Sequence, residues 1–366
     1  MKIIHCADLH LDSRMTANLT DEKAKERKNE LLDAFRRMVA YASENEVDAI
    51  IIAGDLFDTK SISATACNVV RDGIVNNPQI EFYYLQGNHD ADSFLARLDD
   101  IPSNLKLFDN KWTSYQTGKD GKVIISGIEL NGLNSPDWFN TLVNDSEKFN
   151  IVVLHGQESA SKSKNKAEVI PFGELKNKNI DYLALGHIHG YKLERLDGRG
   201  VYCYPGCLES RGFDEPGEHG FVLLRINEDE GTMSHEFVKN SYRNLYEVVV
   251  DVTDCMTTTE ISTRVEKELC LKNYDNRHMV KLVLTGEMDV TAEKNIDLLT
   301  RQFSNRFYCF KIYDETKLKV NAEDYRLDES LKGEFVRNVL EADDISEQDK
   351  MEIISYGIRA LSGEID

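Results

Sequence analysis

The sequence predicts an α/β protein: a sandwich of sheets with helices outside, followed by a small α+β unit and a helical tail. Three observations predict it. Short apolar runs of strand length alternate with helix-length patterns through the first half of the chain. The run at 47–53, centred on Ile50, Ile51 and Ile52, has the apolar character of a strand covered on both faces. Near residue 245 the pattern changes to strand, helix, strand, helix, strand.

Taken in order, an apolar run at 2–7 ends at Asp8. A helix is expected from about 20 to 44, because Leu31, Leu32, Phe35, Met38, Val39 and Ala42 recur at helical spacing with charges opposite. Helix follows at 62–75 and strand at 81–86. Further strands are expected at 122–128, 150–154, 181–186, 191–196, 200–204, 219–226 and 232–239. The later unit reads as strand 246–252, helix 258–270, strand 278–286, helix 291–305 and strand 307–313. The stretch 329–366 is helical and acidic. Leu331, Phe335, Val339 and Leu340 make one apolar stripe, and Met351, Ile354, Tyr356, Ile358 and Leu361 suggest another. The expected domains are therefore 1–240, 245–322 and 329–366.

Composition narrows the function. The chain of 366 residues is too long for one small core, and 41% hydrophobic with 30% charged residues is a globular balance. No apolar stretch reaches the ~18 residues that span a bilayer. The first residues run directly into a motif, so no signal peptide is expected and the cytoplasm is the expected location. The seven cysteines form no CxxC pair and are expected to be reduced and mostly buried. The net charge of -20 opposes nucleic acid when taken alone, but binding needs only a local basic or metal-bearing face.

Five segments carry the chemistry: Asp8-Leu9-His10, Gly54-Asp55-Leu56-Phe57-Asp58, Gly87-Asn88-His89-Asp90, His155-Gly156-Gln157 and Gly186-His187-Ile188-His189. Asp8, Asp55, Asn88, His155 and His187 each follow an apolar strand, where open α/β sheets gather their ligands. Alternate residues of an extended segment share a face, so Asp8 with His10, and His187 with His189, can each serve one site. A lone DxH or HxH is common; all five segments in this order are not. Mixed oxygen and imidazole donors without thiolate suit manganese, iron or zinc. Seven donors are too many for one ion and suit two that share a carboxylate. Such a pair can clamp a phosphate and activate a water. His5, His219, His235 and His278 lie outside these segments and are expected to be structural or surface residues.

At these residues the sequence resembles the calcineurin-like metallophosphoesterase superfamily, whose pattern is DxH, GDxxD, GNH(D/E), H and GHxH. The resemblance covers about 1–240. Within the superfamily, the segment from Ile4 to Asp12, the GDLFD segment, Tyr204-Pro205-Gly206-Cys207-Leu208-Glu209 and the glycine-rich stretch from Glu215 to Phe221 resemble the SbcD nuclease family, including its YhaO-like branch. The resemblance implies a two-sheet metallophosphoesterase sandwich. It implies one metal on Asp8, His10, Asp55 and His189, and a second on Asp55, Asn88, His155 and His187, with Asp55 bridging. His89 is then the catalytic residue facing the scissile phosphate, oriented by Asp90 or Asp58. Archaeal and eukaryotic relatives carry a second catalytic histidine at the position of Asp58, so no imidazole role is carried over there.

The implied function is a manganese-dependent DNA exo- or endonuclease, the nuclease subunit of an SbcCD-like repair complex. Its partners would be DNA and an SMC-like ATPase subunit, in a homodimeric assembly with no membrane. The unit at 245–322 would cap the site and bind DNA, and the tail would dock on the ATPase. Lys60, Arg71, Arg97, Lys162, Lys164, Lys166 and Arg211 are candidates for a local basic strip. Two alternatives stand beside this reading: a phosphodiesterase or phosphatase acting on a small molecule or phosphoprotein, and a non-catalytic scaffold that regulates its ATPase.

Overall fold

Three apolar clusters of alternating strand residues build the first unit: one between two sheets, one beneath a pair of helices, and one on the outer face of the second sheet. The structure is a computed structural model. It describes the chain apart from residues 14, 16–18, 59–61, 88–89, 91–93, 99, 132–133, 135–136, 159–168 and 362–366, and apart from the side chains of 322 and 359. The chain divides into two compact units, Met1–Asn244 and Leu245–Asp366.

In chain order the first unit runs β1 (Lys2–Cys6), α1 (Asp21–Glu44), β2 (Ala49–Ala53), α2 (Ala64–Val75), β3 (Glu81–Leu85), β4 (Leu105–Leu107), β5 (Thr113–Thr117), β6 (Val123–Gly127), β7 (Phe149–His155), β8 (Gln157–Glu158), β9 (Val169–Ile170), α3 (Phe172–Leu175), β10 (Tyr182–Gly186), β11 (Lys192–Arg195), β12 (Val201–Tyr204), β13 (Gly220–Asn227) and β14 (Thr232–Lys239). One six-stranded sheet has the order β14-β13-β1-β2-β3-β4, the other β11-β12-β10-β7-β6-β5. This is the mixed α/β, two-sheet architecture expected. Strands β1, β2 and β3 are parallel, as are β6, β7, β10 and β12.

Alternation along the strands fills both faces. Ile3, Ile51, Tyr83, Ile125, Ile151, Val153, Ala184 and Leu224 pack between the sheets. The other faces of β1 and β2, through Ile4, Ile50 and Ile52, meet Leu31, Phe35, Met38 and Val39 of α1 and Val70 and Ile74 of α2. The Thr20 and Ser63 side chains cap α1 and α2, each accepting from the backbone N–H three residues on.

The second unit runs β15 (Leu245–Asp251), α4 (Thr258–Lys272), β16 (Met279–Thr285), β17 (Glu287–Asp289), α5 (Ile296–Phe303), β18 (Cys309–Asp314), β19 (Lys317–Lys319), α6 (Ala322–Arg326), α7 (Leu331–Leu340) and α8 (Glu347–Leu361). The strands β15, β16 and β18 form one parallel sheet. Ile261, Val265 and Leu269 of α4 and Leu299 and Phe303 of α5 are buried in its core. Helix α5 starts later than the sequence pattern suggests, because Asn295 caps it through the N–H of Leu298. Helices α7 and α8 are packed inside this unit: Val336, Ile354 and Ile358 close a cluster with Val290 and Tyr325. No helix among the described residues is long and apolar enough to cross a membrane.

Candidate metal centre

The two sheets bring strand ends of the same polarity to one place. Asp8 follows β1, Asp55 follows β2, His155 closes β7 and His187 follows β10. At the junction, His155 Nδ1 lies 3.0 Å from the Ala53 carbonyl oxygen. A side chain on Gly54 (φ 90°) would overlap the His155 ring, and one on Gly186 would sit 1.9 Å from the Ala53 oxygen. Glycine at these two positions lets the sheets touch.

The loops are then laced together. Asp8 N–H donates to Gly54 O (3.1 Å), His10 N–H to Asp55 O (2.9 Å) and Gly156 N–H to Gly186 O (3.1 Å). The His187 N–H donates to both oxygens of Asp8, at 2.9 and 3.0 Å. Asp8, His10, Asp55 and His187 all hold positive φ, at 52°, 45°, 52° and 101°. Non-glycine residues adopt this region at a cost that the surrounding structure must meet, and such strain concentrates at functional sites.

Two donor groups result, Asp8 with His10 and His189, and Asp8 with Asp55 and His155; within each group the donor atoms lie within 4.8 Å of one another. Asp8, His10, Asp55 and His155 are buried. Asp55 Oδ2 stands 3.7 Å from His10 Nε2 and 3.4 Å from His155 Nε2. The His155 Nδ1 contact to a carbonyl requires a proton on Nδ1, which leaves Nε2 to face the cluster. Burial pulls the His155 imidazole down, yet its contact with Asp55 and the charges of Asp55 and Asp8 reverse that and hold it up at about 9. The cluster thus draws positive charge into a dry place. Two buried carboxylates with converging imidazole nitrogens fit divalent ions that accept mixed oxygen and nitrogen donors, such as manganese, iron or zinc.

A calcineurin-like phosphoesterase family model matches residues 1–191. The chain belongs to the calcineurin-like phosphoesterase family. It is 28% identical over 297 residues to the uncharacterized metallophosphoesterase YhaO of Bacillus subtilis, covering 78% of this chain and 72% of that protein. It is 25% identical over 264 residues to the DNA double-strand break repair protein Mre11 of Methanococcus maripaludis, covering 67% of this chain and 66% of that protein, just under two thirds of its length. Among solved structures, the protein TT1561 of Thermus thermophilus is 16% identical with a TM-score of 0.40, covering 64% of this chain and 97% of that one. By the match to the family model, the chain is a metal-dependent phosphoesterase.

Not every expected residue of this phosphoesterase falls among those described. Asn88 and His89 lie outside them, as do Lys60, Lys162, Lys164 and Lys166. Asp90 accepts from the N–H groups of Phe57 (2.8 Å), Gly87 (2.9 Å) and Leu56 (3.2 Å), tying the GDLFD and GNHD segments together. Burial raises its carboxyl to about 6 against those hydrogen bonds. Asp58 has partners of its own: it accepts from Ser13 Oγ at 2.7 Å and faces His10 Nδ1 at 3.3 Å. Arg71 pairs with Asp72 on the exposed side of α2, and Arg97 is exposed. Arg211 is the one candidate of the basic strip that the described residues bring to the cluster, where its Nη2 lies 3.2 Å from His189 Nδ1.

Glu215, to which motif reading gave no role, stands directly against the cluster. Its Oε1 accepts from His189 Nδ1 at 2.6 Å and from Arg211 at 3.0 Å. Burial would raise its carboxyl, but His189 and Arg211 hold it down at about 2. The sequence signal was present in the glycine-rich stretch that begins at Glu215, which carried a resemblance but no role. His219 is buried there too, 3.2 Å from Cys207 Sγ. His5 is buried and meets the Tyr182 hydroxyl at 2.9 Å.

Proposed function

We propose that this chain is a two-metal phosphodiesterase that hydrolyses DNA, most effectively with manganese. The observation that carries the reading is Asp55 Oδ2 facing both His10 and His155, the arrangement a bridging carboxylate needs. One ion is assigned to Asp8, His10, Asp55 and His189, and the other to Asp55, Asn88, His155 and His187. When bound, such a pair polarises a phosphate and brings the pKa of water from 15.7 toward ~7.

The chain's own residues do the rest. Asp8, held through the His187 N–H, and His155, held through Ala53 O, keep the donors fixed while substrate enters. Asp90 holds the segment that carries His89. His89 is assigned to contact the phosphoryl oxygens or to give a proton to the leaving oxygen, a role worth ~10²–10⁴-fold in rate. The likeness to a DNA double-strand break repair protein supports DNA as substrate, and the resemblance of the sequence to the SbcD family adds an SMC-like ATPase partner and a homodimer to the proposal. Residues 245–322 of the second unit are proposed as the cap.

One observation favours a second reading, a small phosphodiester as substrate: the chain has a net charge of -20, and Arg211 is the one proposed basic contact described at the cluster. The test is hydrolysis of single-stranded, blunt and hairpin DNA with Mn²⁺ or Mg²⁺, with and without the ATPase, beside bis-p-nitrophenyl phosphate. Cleavage of the small diester alone, under every DNA condition, would select the second reading. DNA cleavage that His89→Ala lowers while both metals stay bound supports the first.

A further inference from the structure

Two histidines assigned to the first ion face each other, with His10 Nε2 and His189 Nε2 3.2 Å apart. Behind each ring stands a carboxylate on the Nδ1 side: Asp58 Oδ1 at 3.3 Å from His10, and Glu215 Oε1 at 2.6 Å from His189. The Arg211 guanidinium joins the two carboxylates. Its Nη2 donates to Glu215 Oε1 at 3.0 Å and its Nη1 stands 3.7 Å from Asp58 Oδ2. The Arg211 backbone N–H also donates to Glu215 Oε2 at 2.7 Å.

This arrangement is itself anchored in the fold. The Ser210 hydroxyl donates to Glu215 O at 3.1 Å. Fully buried Arg27 of α1 donates to the Ser210 carbonyl, to Glu30 and to Glu209. Glu209 accepts from the N–H groups of Tyr242 (2.6 Å) and Arg243 (3.0 Å). The loop after β12 is thus clamped to α1 through paired charges, and it presents Arg211 and Glu215 in fixed positions.

We propose that Asp58, Arg211 and Glu215 form a single carboxylate–guanidinium–carboxylate brace that turns His10 and His189 so that both offer Nε2 to the same ion, and that this brace governs the affinity of one ion of the pair. Asp58 and Glu215 are positioning residues in this account, acting through the imidazoles. The arrangement also gives Asp58 a role that needs no histidine at its position. The second ion's His155 is oriented by a backbone carbonyl instead, so the brace does not reach it. Outer partners of this kind typically set 10–100-fold in metal affinity.

The inference rests on the two-metal reading, and the test separates them. Metal-free full-length protein and its Glu215→Gln and Glu215→Asp variants are titrated with Mn²⁺ in a calorimeter, with folding checked by circular dichroism. The expected result is two binding steps in the natural sequence. In Glu215→Gln, one step weakens about 10–100-fold and the other is unchanged. Glu215→Asp, which keeps the charge, recovers part of the loss. Fewer than two steps in the natural sequence would defeat the two-metal reading itself. Two unchanged steps in a folded Glu215→Gln protein, or equal weakening of both, would defeat the brace alone. Should Glu215→Gln fail to fold, Arg211→Met answers the same question: weakening of one step supports the brace, and two unaltered steps overturn it.

Discussion

Asp55 Oδ2 faces His155 Nε2 at 3.4 Å across the junction of the two sheets. The same oxygen lies 3.7 Å from His10 Nε2, on the side of the other donor group. A carboxylate so placed can serve both groups. Asp55→Ala is expected to lower the bound manganese below one ion per chain. Hydrolysis of a small diester should fall by at least about 100-fold, the upper range for an outer partner and therefore a floor for a direct donor. Metal analysis beside turnover measures both. Two retained ions with near-normal turnover would remove Asp55 from the centre.

Gly186 allows the sheets to meet, and the cost of filling it can be measured. A methyl group there would stand 1.9 Å from the Ala53 carbonyl oxygen and 2.7 Å from His155 Nδ1. Backbone cannot swing aside as a side-chain tip can, so the strands β2 and β10 must separate at their ends. Gly186→Ala is expected to destabilise the protein by about 3 kcal/mol, at the upper end of overpacking penalties. It should also weaken metal binding, because His155 and His187 flank the displaced point. Urea unfolding and metal titration report the two effects; a change within ~0.5 kcal/mol would show that the junction has slack.

Much of this was legible because each motif residue ends an apolar run, so strand polarity alone predicts that Asp8, Asp55, His155 and His187 converge. The parallel order of β15, β16 and β18 was legible in the strand–helix alternation after residue 245. What was not legible lies far apart in sequence. Arg27 reads as one more charge on an amphipathic helix, yet it is fully buried against Glu209 and Ser210, 182 and 183 residues on. Such a pairing leaves no periodic trace. Glu215 likewise gains its meaning only from a fold that brings it beside His189. The short strands β4, β17 and β19 carry too few residues for alternation to register. The positive φ of Asp8, His10, Asp55 and His187 was equally invisible, since only the glycines announce unusual backbone.

The buried His5 gives the protein a predictable acid sensitivity. Burial drives its imidazole down to about 3, with only partial relief from Leu185. The unfolded chain binds a proton near 6.5, so between about 6.5 and 3 the unfolded state holds the proton that the folded state refuses. Stability from this group is therefore full above about 6.5 and falls as the pH drops, by about 1.4 kcal/mol per pH unit. His5→Gln is expected to remove that slope. Between about pH 7 and about pH 5 the variant should lose about 2 kcal/mol less than the natural sequence. The raised imidazole of His155 acts with the opposite sign, but it is present in both proteins and cancels in the comparison. Urea unfolding with metals chelated supplies the test, and parallel pH profiles would refute it.

The tail helices separate a folding role from a partner role, provided the right residues are changed. Ile354 is fully buried and Ile358 nearly so, in the cluster that also holds Val290, Tyr325 and Val336. Cutting the chain near residue 325 would strip Val336, Ile354 and Ile358 from Val290, so loss of a partner after such a cut would say little about docking. Point changes avoid the difficulty. Ile354→Ala removes buried methyl groups and is expected to destabilise the second unit by about 2–4 kcal/mol. Tyr356 and Leu331 are 65% and 68% exposed, and Tyr356→Ala or Leu331→Ala should stay within ~0.5 kcal/mol of the natural sequence. If an exposed stripe of α7 or α8 receives the proposed ATPase, these two substitutions weaken co-purification while thermal unfolding and small-diester hydrolysis are unaltered. Ile354→Ala should instead lower the unfolding temperature first. Undiminished complex formation by the folded Leu331→Ala, Tyr356→Ala double variant would place the ATPase contact elsewhere on the chain.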